Sequence, residues 1–271
     1  MTRPSRRPFP TTAVFAVLAL LSSASCASFG VWATTGSNAA LGQTDAEAAL
    51  KEGDAELEGG NFVEAQRAYD HVRSKFPYSD AAITAELRIA DVDFGKEHYI
   101  EARDRYQSFI KLHPTHPKVD YAAFRAALTW AKDMPSEFFI FPPAPEKDQG
   151  NVRGAGAAMG EFLRQYPNSP HAPEAKSIYN DVRRRLAEHE LYAAAFYARR
   201  DKWAAVASRL TNVTSKYGDL PMAEGAWLDL YDAYVKLNDP EKAKATLEEC
   251  VKKIPESNSA QRAKKLLGRG G

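Results

Sequence analysis

Between residues 46 and 77 the apolar positions form two short helical stripes separated by a tight turn. Leu50 and Leu57 lie seven residues apart on the first stripe, and Phe62, Ala65, Tyr69 and Val72 step by three or four along the second. Gly59-Gly60-Asn61-Phe62 supplies the turn and Pro77 stops the second helix. Gly53 and Ala65 are small enough to let the helices approach closely, and Tyr69 is large enough to fill the groove between them. A pair this short cannot bury its apolar faces alone, so the pattern predicts further copies stacked against it.

The copies are present. In the second, Ala90, Glu97-His98-Tyr99, Ala102, Tyr106, Phe109 and Pro114 keep the same offsets from the closing proline. The fifth repeats the frame with Trp227, Tyr231, Tyr234, the turn Asn238-Asp239-Pro240, Ala243, Leu247, Cys250 and Pro255. The fourth retains Ala194, Tyr197, Trp203, Val206, Leu210 and Val213 but ends at Gly218, and the third is split between Tyr121–Lys132 and about 151–166 by a proline-rich insertion at 135–148. From His171 to Arg199 nothing breaks the helical pattern once Pro173 has opened it, which predicts one helix of about 40 Å. Ser259 to Leu267 suits a capping helix. The unit resembles the tetratricopeptide repeat, a helix–turn–helix motif with fixed small residues, a late aromatic and a closing proline. The expected fold is therefore all-α: a solenoid of about five helix pairs with a C-terminal cap, repeats 1–3 spanning 46–170 and repeats 4–5 with the cap spanning 171–271.

Residues 1–25 read as an export signal, with Arg3, Arg6 and Arg7 ahead of an apolar run from Ala13 to Leu21. Nine apolar residues are too few to span a bilayer. Ser23-Ala24-Ser25-Cys26 resembles a bacterial lipobox, in which Cys26 is lipidated and becomes the new N-terminus, and Ala27 after it resembles lipoproteins sent to the outer membrane. Ser5-Arg6-Arg7-Pro8-Phe9 also resembles a twin-arginine motif, although the same arginines serve a general secretory signal equally well. Residues 26–45, rich in Ala, Gly, Ser and Thr, read as a tether with a reach of roughly 25 Å.

Charge narrows the partners. The signal contains three arginines and no acid, so without it the formal charge of +1 becomes −2, which argues against nucleic acid. His113-Pro114-Thr115-His116 sits in a proline-bounded turn without the ligands of a metal site, and Gly154 to Gly160 has the wrong spacing for a dinucleotide loop but suits close helix packing. Asp91 and Asp93 are expected on solvated surface. No nucleophile stands beside a base, so neither enzyme activity nor a cofactor is expected; an exported hydrolase using His113 or His116 is the contrary reading. In the repeat frame the first helix of each pair lines a concave face, which places Leu50, Asp54, Leu57, Leu87, Asp91 and Phe94 along a client groove. The same Leu57 and Phe94 also suit plain packing between helices.

Leu112-His113-Pro114-Thr115-His116-Pro117, Tyr166-Pro167-Asn168-Ser169, and Glu190-Leu191-Tyr192 running into Trp203-Ala204-Ala205-Val206 resemble the BamD family of β-barrel assembly lipoproteins. The resemblance runs from Cys26 to about Pro255. Phe138-Phe139 matches the family's third-repeat insertion, whereas the prolines at 142, 143 and 145 depart from it. The resemblance implies a lipid-anchored scaffold on the periplasmic face of the outer membrane that helps β-barrel insertion. Its implied partners are a barrel-bearing subunit with POTRA domains, other assembly lipoproteins and unfolded outer-membrane proteins. It also implies a partner contact at Arg209, on the second helix of the fourth repeat. Another envelope adaptor lipoprotein, of the cell-wall, Tol or DNA-uptake kind, is the alternative.

Overall fold

The computed structural model describes residues 34–134 and 148–268, with side chains from residue 44 onward. Eleven α-helices occur among the described residues: α1 (Thr34–Glu58), α2 (Phe62–Lys75), α3 (Asp80–Gly95), α4 (Tyr99–Leu112), α5 (Val119–Lys132), α6 (Gly150–Gln165), α7 (Ala172–Ala198), α8 (Trp203–Lys216), α9 (Ala226–Lys236), α10 (Pro240–Lys253) and α11 (Asn258–Leu267). They pair as five repeats followed by a cap. From α2 onward each helix packs on the next in the chain, as a solenoid requires, and the described residues from Gln43 onward form one compact unit.

The turn inside a repeat is the same in four of the five pairs. Gly60, Glu97, Asp201 and Asn238 each take a left-handed conformation two residues before the second helix starts. The next residue in each case donates its N–H five residues back: Asn61 to Glu56, His98 to Asp93, Lys202 to Tyr197 and Asp239 to Tyr234, at 2.8–3.1 Å. This Schellman-type closure satisfies carbonyls that the ending helix leaves free. Gly60 adopts positive φ without a side-chain penalty, Asp201 and Asn238 have the short polar side chains that tolerate it, and at Glu97 the pairing of the flanking helices imposes it.

Small residues set the helix spacing. A Cβ on Gly53 would lie 2.6 Å from the Tyr69 ring, and one on Gly154 would lie 2.4 Å from Trp130. Ala65, Ala102, Ala155 and Ala243 are buried at the equivalent close contact of the second helices. The glycines at 154, 156 and 160 meet Trp130, Val182 and Tyr179, so that stretch serves helix packing.

Two expectations change. Residues 34–45 do not form part of an irregular tether, because α1 begins at Thr34. Extending an existing helix orders one residue per hydrogen bond, and Ala39, Ala40, Leu41 and Ala46 favour it enough to override the interspersed Gly, Ser and Thr. Asp91 and Asp93 are both buried rather than solvated. Tyr106 of α4 and Tyr121 of α5 cover Asp91, and Arg105 of α4 covers Asp93. Cys26, the signal at 1–25 and residues 135–147 lie outside the described residues.

Candidate docking surfaces

Repeats 1, 2 and 3 are joined by a ladder of polar side chains. On the first rung the Tyr69 hydroxyl donates to Asp54 Oδ1 at 2.8 Å, and Arg88 Nε lies 3.0 Å from the same oxygen. Thirty-seven residues on, Tyr106 donates to Asp91 Oδ1 at 2.5 Å, and Arg125 Nε lies 3.5 Å from it. Arg88 Nη1 bridges the rungs at 3.1 Å from Asp91 Oδ2, and the Tyr121 hydroxyl adds a bond to Asp91 at 2.8 Å. Arg125 also donates to the Tyr106 hydroxyl at 3.1 Å, and its guanidinium carbon lies over the Phe94 ring, 3.7 Å from its centroid. Each rung takes its acid from a first helix, its tyrosine from the following second helix, and its arginine from the first helix of the next repeat. The ladder therefore fixes the stacking of one repeat on another.

Electrostatics follow from this geometry. Burial raises the phenol pKa of Tyr69, Tyr106 and Tyr121, and the Asp54 or Asp91 carboxylate each one bonds raises it further. Burial works against the guanidinium charge of Arg88, but Asp54 and Asp91 more than offset it and its pKa rises. Asp91 is only 5% exposed, while the side chains of Arg88 and Arg125 retain 26% and 21% exposure. The ladder therefore hides its hub acid and shows solvent the edges of its cations. At the same frame positions the third repeat has Leu128, Met159 and Ile178, packed together in one apolar cluster, so the polar ladder stops there.

The predicted groove residues separate on this basis. Leu87 is fully buried, so it cannot line an open groove; the stacking of α4 and α5 covers the face it occupies. Leu50 and Leu57 are partly buried against the first core cluster. Phe94 is wedged between two clusters beneath Arg125. Asp54 and Asp91 are anchors for tyrosine and arginine, not a free acidic edge. Arg88, Arg125 and Tyr121 escaped the sequence reading, although the recurrence of Asp, Tyr and Arg at a spacing of 37 was available to find them. Arg103 was missed as well; its guanidinium stacks 3.5 Å above Trp130 while its Nε bonds the Thr129 hydroxyl.

In the fourth repeat, Arg209 sits on the edge of α8 with its side chain 36% exposed, and Nη1 is 3.2 Å from Glu190 on α7. Glu190 also receives a long contact of 3.5 Å from Asn212. His113 bonds Glu86 at 3.0 Å, and His116 packs edge-on against Phe109, where burial lowers its pKa. Among the described residues no group of three or more His, Cys, Asp or Glu is arranged to hold a metal ion, and no helix is long and apolar enough to cross a membrane. Cys250 is fully buried, which raises its thiol pKa.

The family profile described as "YfiO: Outer membrane lipoprotein" matches residues 42–249. A Pasteurella multocida protein named outer membrane protein assembly factor BamD is 29% identical over 189 residues, covering 69% of this chain and 72% of the relative. A Neisseria gonorrhoeae protein of the same name is 27% identical over 206 residues, covering 74% and 76%. Among solved structures, the TPR2AB-domain:pHSP90-complex of yeast Sti1 overlaps 84% of both chains at 13% identity with a TM-score of 0.42. That overlap is loose, and the repeat assignment rests on the helix order and packing above.

Proposed function

Since the chain belongs to the YfiO family of outer membrane lipoproteins, we propose that it is a lipid-anchored, non-enzymatic scaffold of the β-barrel assembly machinery at the periplasmic face of the outer membrane. The observation that carries this reading is the family match across the repeat array, 42–249, with relatives named as outer membrane protein assembly factors. The stacked repeats suit a scaffold, because their interior side chains are taken up in packing and their exposed edges vary from one repeat to the next. The proposed partners are a barrel-bearing subunit with POTRA domains, further assembly lipoproteins and unfolded outer-membrane proteins. Purification of the full chain from detergent-solubilised membranes should bring down a barrel subunit in stoichiometric amount. Recovery of a cell-wall or Tol-type assembly instead would refute the proposal.

For the barrel subunit we assign Arg209 as a contact. Its side chain is about one-third exposed and its planar guanidinium is already paired with Glu190, so a partner carboxylate could share it bidentately. Arg209→Glu should weaken that association by about 2–5 kcal/mol, through lost pairing and repulsion from Glu190 and the partner acid. Arg209→Lys should cost less. Binding of the chain to the POTRA-containing fragment at two salt concentrations tests this; wild-type affinity for Arg209→Glu at low salt, where repulsion is least screened, would exclude the contact. Client contacts are proposed for the accessible edges of Arg88, Arg125 and Phe94, with Asp54 and Asp91 holding the two arginines in place; the partly buried Leu50 and Leu57 extend the proposed surface onto α1.

A further inference from the structure

Repeats 4 and 5 carry a second, chemically different surface. Between α7, α8 and α9 lies a groove of about 580 Å³ walled by apolar side chains, among them Leu191 and Ala195 of α7, Trp203 and Val206 of α8, and Val235 of α9. This volume falls within the range of ligand-sized clefts. Trp203 is only partly buried and Val235 is half exposed, so the apolar lining reaches the surface instead of closing over. The α9 wall is acidic: Asp229 and Asp232 stand one helical turn apart on the face that borders the groove, and Lys236 one turn further on reaches over the Trp203 ring. Burial and the neighbouring charge of Asp232 raise the pKa of Asp229, whereas Arg262 only partly offsets them. The two acids thus form a cation-seeking edge beside an unfilled apolar slot.

We infer that this groove binds a short segment of a partner protein in which a large apolar residue stands next to a lysine or arginine, the apolar side chain entering between Trp203 and Val235 and the cation pairing with Asp229 and Asp232. Charge complementarity selects this occupant. An acidic segment would meet two carboxylates, and an uncharged apolar segment would leave Asp229 offset only in part, by Arg262. The site is separate from Arg209, which pairs with Glu190 and seeks an acid, so repeats 4 and 5 offer two contacts of opposite charge preference.

The test uses the full chain in phosphatidylcholine nanodiscs and two fluorescein-labelled decapeptides, one alternating leucine with lysine and one alternating leucine with glutamate. Fluorescence anisotropy should show saturable binding of the lysine peptide, little binding of the glutamate peptide, and none to empty nanodiscs. Asp229→Asn combined with Asp232→Asn should weaken the lysine peptide by about fivefold, as expected for two rim-exposed ion pairs. Ala195→Trp, placed at an exposed position of the groove wall, should abolish binding without touching the core. Arg209→Glu should leave peptide binding unchanged while weakening the POTRA-containing fragment, which separates this site from the docking contact proposed above. Equal binding of both peptides, binding unaffected by Ala195→Trp, or equal binding to empty nanodiscs would overturn the inference. So would a wild-type dimer in sedimentation that Ala195→Trp dissociates, since the groove would then hold a second copy.

Discussion

Replacing Asp91 with alanine removes the acceptor shared by Tyr106, Tyr121, Arg88 and Arg125. Two hydroxyls lose their partner, and the Tyr106 ring is wholly buried, so no water replaces it there. Breaking a buried charged network at one member costs about 3–5 kcal/mol. The two guanidinium groups keep contact with solvent and recover some hydration, which places the expected loss near the lower end, about 3 kcal/mol. The third repeat supplies an internal control, since Leu128, Met159 and Ile178 fill the corresponding positions without polar groups. Asp91→Leu combined with Tyr106→Met and Arg125→Ile should therefore lose less stability than Asp91→Ala alone, despite changing three residues. Urea denaturation followed by far-ultraviolet circular dichroism measures the total, and hydrogen exchange in α3 and α4 localises it, because stacked repeats need not unfold in a single step. A loss below about 1 kcal/mol for Asp91→Ala, the level of a solvated surface pair, would refute the ladder as a stacking device. So would a triple variant less stable than the single one.

Alkaline pH probes the same ladder through its phenols, whose folded pKa values burial and the adjacent carboxylates raise. A group with a raised folded pKa contributes stability that is complete below its unfolded pKa, near pH 10 for tyrosine, and is lost as pH rises beyond it toward the folded value. Stability should thus be insensitive to these groups at pH 7–9 and fall above pH 10 by up to about 1.4 kcal/mol per pH unit for each tyrosine; a Tyr106→Phe variant should show a shallower slope in urea titrations, and an identical slope would exclude Tyr106 as a contributor. Gly53→Ala should destabilise by about 1–3 kcal/mol despite alanine's better helix propensity, because the added methyl meets the fully buried Tyr69 ring; an unchanged or higher denaturation midpoint would contradict the close packing. Cys26→Ser should leave the repeats folded and move the protein to the soluble fraction, and retention in the outer membrane of cells lacking the partners would exclude the lipid anchor.

Most of the helices and their pairing into repeats are legible in local sequence. Pro77, Pro114 and Pro255 stop second helices by removing an N–H donor, and the 3–4 spacing of Ala65, Tyr69 and Val72 selects the buried stripe. Asn238 and the Gly59-Gly60 pair announce their turns through local backbone preference, which needs no distant partner. Turn closure at Glu97 is not visible in that way, because the flanking helices, not the residue, impose the left-handed geometry. The neighbours that each first-helix side chain meets are set by the stacking of the repeats. Leu87, Asp91 and Phe94 share a helix and were all legible as inward or groove-facing, yet one is core, one is the hub of a polar network and one lies beneath an arginine. Those fates depend on Tyr106, Tyr121 and Arg125, which lie 15 to 34 residues away from Asp91 and come within reach only when one repeat stacks on the next. The difference is one of range: local sequence sets backbone dihedrals and periodicity, whereas burial and ion pairing depend on atoms that folding brings in from other helices.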